Sequence, residues 1–172
     1  MRSTHLDTKE TILFGRASYY RRESNNKLVN CPEVDCSYKF AGGGMVSTVT
    51  DLIIFANAIL YSFQSTSRDA LLDQETAREF LAKQISVNSR VAAGLGWFLV
   101  CKKKVQSLKR RRSNDSYFYH TGAAVGASSV LLIKPGKDRS EIPSGLCVAI
   151  LCNLQDVSVL KLAEEVGCLF YE

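Results

Sequence analysis

Residues Tyr117-Phe118-Tyr119-His120-Thr121-Gly122-Ala123-Ala124-Val125-Gly126-Ala127-Ser128-Ser129-Val130-Leu131-Leu132-Ile133-Lys134-Pro135 decide the fold of this 172-residue chain. Positions 117–121 are aromatic-rich and β-prone, and 127–133 form an apolar, β-branched run closed by Pro135. Between them, Gly122 and Gly126 allow the backbone to turn tightly or to approach a neighbour closely. A loop with Gly136, Pro143 and Gly145 leads to a third apolar stretch, residues 146–152. The spacing predicts an antiparallel three-strand meander whose first strand carries His120-Thr121-Gly122.

Upstream, the pattern turns helical. Leu52, Phe55, Ala56, Ile59 and Phe63 recur at three- to four-residue spacing, and Thr48 with Asp51 fits a capping-box variant at the start of that helix. Gly42-Gly43-Gly44 stands just before it. A phosphate cradle would need the Lys-Ser/Thr ending and the preceding buried strand of a P-loop, and neither is present, so the run reads as a close-packed helix entry. A second helix is expected over residues 73–84, capped by Asp73, with Ala77, Phe80 and Leu81 inward. Gly94-Leu95-Gly96-Trp97 leads into a strand at 98–101. Arg21-Arg22 followed by Ser24-Asn25-Asn26 reads as a hairpin or loop. A last helix is expected over 156–171, capped by Asn153 or Asp156, with Val159, Leu160, Leu162, Ala163, Val166 and Leu169 on a wide apolar face.

These elements make one α+β domain: a helical part at 14–100 with its glycine-rich helix entry, a basic loop at 102–116, and the meander plus helix at 117–171. The size is enough for a good core. Net charge is +5, but residues 102–112 alone hold seven Lys or Arg and no acid. Such a run is a solvated loop unless aromatics or an amphipathic helix accompany it, so no nucleic-acid partner is expected. No apolar run reaches the ~20 residues of a membrane span. The six cysteines (31, 36, 101, 147, 152, 168) lack the close pairs and nearby histidines of a structural zinc site and read as free buried thiols, with no metal. Cys147 and Cys152 stand at odd separation on one strand and therefore face opposite sides.

The His120-Thr121-Gly122 triplet on a strand resembles the third active-site motif of the serine β-lactamase and penicillin-binding-protein family. That motif is Lys-Thr-Gly in its usual form and His-Thr-Gly among class C-like esterases and peptidases. The stretch Phe40-Ala-Gly-Gly-Gly-Met-Val-Ser-Thr-Val-Thr-Asp-Leu52, the Gly94–Trp97 quartet, and residues 120–135 and 146–153 are similar to the same family. The resemblance runs, with gaps, from about residue 14 to about residue 166, and it is specific in combination rather than motif by motif. It is nearest to a mitochondrial branch associated with filaments. The resemblance therefore implies the intermembrane space, with any targeting segment outside this chain.

What the resemblance implies is a partial β-lactamase/transpeptidase-like fold: the antiparallel C-terminal strands flanked by helices, with the N-terminal strands and N-terminal helix missing. Its acyl transfer uses a Ser-x-x-Lys nucleophile, a Tyr motif, an oxyanion hole and a substrate-aligning strand. Four residues here match the last two parts. Thr121 offers a hydroxyl to substrate, Gly122 leaves room for it, and the Ala123 N–H is an oxyanion donor. His120 replaces an obligatory cation with a group that titrates near neutrality. No catalytic residue is expected in the chain itself. The Ser-x-x-Lys at Ser24-Asn25-Asn26-Lys27 sits among turn-formers, and Ser47 reads as a helix-entry residue.

The expected function is thus the C-terminal portion of a serine hydrolase acting on peptides, esters or amides, inactive alone and requiring no cofactor. The competing expectation is a non-catalytic scaffold or filament-forming module. Residues 146–152 are apolar on both faces, as in an interior strand, so an open edge there would favour self-association.

Overall fold

The computed structural model describes residues 1–101, 116–136 and 143–170. In chain order the short elements are β1 (His5–Leu6), β2 (Tyr20–Arg22), β3 (Leu28–Asn30), the one-turn helix α1 (Phe40–Gly43) and β4 (Met45–Val46). Then come α2 (Val49–Gln64), α3 (Gln74–Leu81), β5 (Ile85–Ser86), β6 (Val91–Ala93) and β7 (Phe98–Val100). The chain closes with the long strands β8 (Tyr117–Ala124), β9 (Ala127–Pro135) and β10 (Gly145–Cys152), and with α4 (Leu160–Leu169).

The meander is present, and it is half of a larger object. β10, β9, β8, β7, β6 and β5 form one six-stranded antiparallel sheet in that order. Only β7 of the second half was legible beforehand. β5 and β6 are two and three residues long, too short to display an alternation, and they are strands because β7 offers them an edge. The basic run 102–115 lies outside the described residues.

Helices cover both faces of the sheet. On one side, Ala56, Ile59, Leu60 and Leu81 of α2 and α3 pack with Trp97, Phe118, Leu131 and Ile133. On the other, Val159 and Ala163 at α4 pack with Val130, Leu132 and Val148. Cys147 belongs to the first cluster and Cys152 to the second, the opposed placement that odd spacing on a strand requires. All six cysteines are free, but none is fully buried as expected: Cys31, Cys36, Cys147 and Cys152 are half-buried, and Cys101 and Cys168 are exposed. Burial pushes the Cys147 thiol up to about 11, which leaves it an inert packing group at neutral pH.

Capping fixes where two helices begin. The Thr48 side chain accepts from the Asp51 N–H (3.2 Å), and Asp73 accepts from the Thr76 N–H (2.8 Å). Asp51 is itself buried, and it takes hydrogen bonds from the Ser3 N–H and the Thr4 hydroxyl, both at 2.8 Å. These bonds, with Thr4 leading the others, hold its carboxyl below the usual range. They also tie the first residues of the chain onto the start of α2, beside the β1–β4 pair.

Three expectations need correction. The triple glycine does not enter α2 directly: it ends the α1 turn, and β4 intervenes. A Cβ on Gly44 would stand 2.7 Å from the Cys36 carbonyl, so a close backbone approach requires glycine there. The second helix stops at Leu81, before the 84 expected. The last helix starts at Leu160 rather than 156, with Val159 as a cap that makes no side-chain hydrogen bond. Asp156 has φ +59°, a left-handed conformation that cannot continue into a helix. Its expected apolar face is also too wide for the sheet to cover: Leu162 is 50% exposed and Leu169 78%.

Candidate functional site

The two-residue turn Val125-Gly126 joins β8 to β9, with Gly126 at φ +73°. Gly126 also lies against Tyr19 and Cys31, so the turn is held from outside the sheet. Ala124 and Ala127 close this turn as a hydrogen-bonded pair. Alternation from that pair aims the N–H and C=O groups of Thr121 and Ala123 away from β9.

On that far side the pairing is incomplete. β7 matches only Tyr117, Phe118 and Tyr119 of β8 and ends at Phe98, opposite Tyr119. From His120 onward, β8 has no strand beside it among the described residues. The four residues expected to bind substrate therefore lie consecutively along an open strand edge. His120, Thr121 and Ala123 are exposed and Gly122 half-buried.

The four do not share one face. His120 is in register with Leu131 and follows Phe118 onto the side of α2, its ring stacked near that of Phe98 (centroids 6.4 Å apart). Thr121 is in register with Val130 and lies on the side of α4. There a cavity of about 480 Å³ opens, with Thr121, Gly122 and Ala123 in its wall and His120 outside it.

The cavity's other walls come from residues that no motif pointed to. Phe98 and Tyr119 stack as one aromatic wall, 5.3 Å between centroids. Asp156, Ser158 and the first residue of α4, Leu160, form the opposite wall. Burial, followed by the charge of Glu164, raises the Tyr119 phenol above its ordinary value, so it remains neutral. Tyr117 is raised further, first by burial and then by the hydrogen bond that it donates to Glu164 on α4. These walls meet only through strand register and a turn 30 residues away, which no local pattern displays.

Ser128 sets the position of the Asp156 wall. This side chain is 3% exposed; its hydroxyl donates to the Leu154 carbonyl (2.9 Å) and accepts from the Val157 N–H (3.1 Å). Gln155 fastens the same segment to the hairpin, its Oε1 accepting from the Gly126 N–H at 3.3 Å.

The other sequence candidates lie elsewhere. Ser24 and Lys27 sit in the β2–β3 hairpin turn, where the Glu23 N–H bonds to the Lys27 carbonyl (3.0 Å), so Ser24 is not on a helix. The Ser47 hydroxyl is paired with that of Thr4 (2.8 Å) beside Asp51, at the start of α2. Among the described residues no group of three or more His, Cys, Asp or Glu could hold a metal ion, and no helix is long and apolar enough to cross a membrane.

Comparison with known proteins gives this geometry a setting. The family model described as Beta-lactamase matches residues 1–166. The chain is 36% identical over 187 aligned residues to the "Serine beta-lactamase-like protein LACTB, mitochondrial" of Mus musculus, and 35% identical to that of Homo sapiens. Each alignment covers 96% of this chain and 34% of the relative, so the chain spans about a third of the length of the curated relatives it matches. A penicillin binding protein from Bacillus halodurans has the same fold, with a TM-score of 0.66 at 14% identity, covering 97% of this chain and 44% of that one. With its family match over residues 1–166, the chain belongs to the β-lactamase family.

Proposed function

We propose that this chain supplies the substrate-aligning strand and one oxyanion donor of a serine hydrolase acting on a peptide, ester or amide. One observation carries the reading: β8 loses its neighbour at Phe98, so the backbone groups of Thr121 and Ala123 face an open groove. An extended acyl group pairs with such an edge by main-chain hydrogen bonds. The Ala123 N–H then lies where a tetrahedral oxyanion would accept it, and the Thr121 hydroxyl orients the group beside the reacting carbonyl. His120 stands at the rim, on the other face, where it borders the groove without entering the cavity.

The attacking hydroxyl is not among these residues. Ser24, with Lys27, lies in the β2–β3 hairpin turn, distant in the chain from the β8 edge. Ser158 lines the cavity just before α4, but its Lys161 is 84% exposed and ion-paired with Glu165 instead of placed as its base. By its own residues the chain therefore aligns an acyl group without cleaving it. The mitochondrial names of its relatives support a mitochondrial protein, and we place it in the intermembrane space. No nucleic-acid partner enters the reading.

A second reading has its own observation. β10 ends the sheet with its outer edge unpaired among the described residues, while helices cover both its faces. An edge of this kind takes up another strand, which favours self-association and a scaffold role.

Amide hydrogen exchange tests the first reading. An extended acetylated hexapeptide added to the chain should slow exchange at Thr121 and Ala123, and a backbone N-methylated copy should not. Unchanged exchange at both amides overturns the strand reading. A fluorophosphonate probe should leave the chain unlabelled, whereas adduct formation on Ser24 or Ser158 would show that it holds its own nucleophile.

A further inference from the structure

We infer that the cavity beside β8 selects a positively charged group, so that the acyl compound aligned on the strand carries an ammonium or guanidinium on its α4 side. The assignment deepens the strand reading and rests on it for the word substrate, although the cation site stands on separate residues. Three features of the cavity point the same way. Asp156 is the one charged side chain among the described lining residues, and it lies exposed at the wall. The Phe98 and Tyr119 rings line the same cavity, and aromatic π-systems attract cations. The hydroxyls of Thr121, Ser129 and Ser158, which also line it, accept hydrogen bonds from an ammonium without adding charge, while that of Ser128 is committed to Leu154 and Val157.

One effect opposes this. The first residue of α4 lines the cavity, and a helix N-terminus carries roughly half a positive charge, which favours anions. The full negative charge of Asp156 outweighs that half charge within the same small volume. It is also fixed in place. Ser128 pins the backbone on either side of it at Leu154 and Val157, and Gln155 donates to Oδ2 of the Asp156 carboxylate at 3.1 Å. Asp156 adopts φ +59°, a conformation that Asn also tolerates, so its charge can be removed without disturbing the turn.

The test compares three probes of one size on the 15N-labelled chain: n-butylammonium, 1-butanol and butyrate, followed by amide shifts at Thr121, Ser158 and Leu160 at constant ionic strength. Butylammonium should give saturable shifts at these positions, with butanol roughly fivefold weaker or worse and butyrate the weakest. Asp156→Asn should bring butylammonium down to the level of butanol, and Phe98→Leu should weaken it in part. On the unsubstituted chain, added salt should weaken butylammonium and spare butanol, a check that needs no variant to fold. Butyrate binding as well as butylammonium, no saturable shift for any probe, or an unchanged preference in Asp156→Asn would each overturn the assignment. Hexapeptide protection of Thr121 with no cation preference sinks this inference alone; a cation preference without protection sinks the strand reading alone.

Discussion

Ser128→Ala should damage stability and the candidate site together, because one buried hydroxyl serves both. The substitution removes an atom that donates to the Leu154 carbonyl and accepts from the Val157 N–H. Each bond contributes about 0.5–1.5 kcal/mol net, and leaving a partner unsatisfied adds desolvation cost. Leu154 and Val157 are half-buried, so water satisfies them in part, and the expected loss is about 2 kcal/mol. Against the roughly 5–15 kcal/mol of a typical domain this is large enough to measure. Urea unfolding should show a lower midpoint with an unchanged slope, since the substitution alters a local contact and not the surface exposed. If the turn opens locally, the Val157 amide should exchange about 30-fold faster, at about 1.4 kcal/mol per tenfold. Butylammonium shifts should weaken in parallel as the Asp156 wall loosens. A stability loss below about 0.5 kcal/mol with unaltered exchange at Val157 refutes the placement of Ser128 as the clamp.

Tyr117→Phe should change the alkaline limb of stability. The Tyr117 phenol is raised from 10.0 by burial and then by Glu164, so its contribution is fully present below pH 10 and disappears as pH rises through the higher folded value. In Tyr117→Phe, melting temperature should fall less steeply above pH 10 than in the parent chain; identical slopes would exclude the Tyr117–Glu164 contact as the cause. Asp51→Asn addresses the acidic limb. The Asp51 carboxyl is held below 3.8, led by the Thr4 hydroxyl, so its contribution is present above the ordinary value and lost as pH falls through the depressed one. Exchange at the Ser3 amide, relative to its intrinsic rate, should accelerate below about pH 4 in the parent and be fast at every pH in Asp51→Asn. Slow, pH-independent exchange at Ser3 in that variant would show that the latch rests on other contacts.

What the sequence determined by itself is whatever is encoded within a dozen residues. The apolar stripe on α2, the Thr48 and Asp73 caps, and the β8–β9 hairpin around Gly126 all follow from side-chain period, short-range hydrogen bonds and one positive φ. The strand that carries His120 and Thr121 was legible for the same reason, although it runs on through Gly122 to Ala124, past the 121 expected, before a shorter turn. Tertiary structure decided the rest. Whether β8 has a free edge depends on where β7 stops, and Phe98 and Tyr119 are 21 residues apart in the chain. Asp156 reads locally as a helix cap, yet it becomes a cavity wall because a hydroxyl on β9 holds the segment in a turn. His120 and Thr121 are adjacent in sequence and serve opposite sides of the sheet, since a pleated strand alternates its side chains and helices cover both faces. A motif names residue types along one strand; which neighbour each meets is set by pairing register between distant segments.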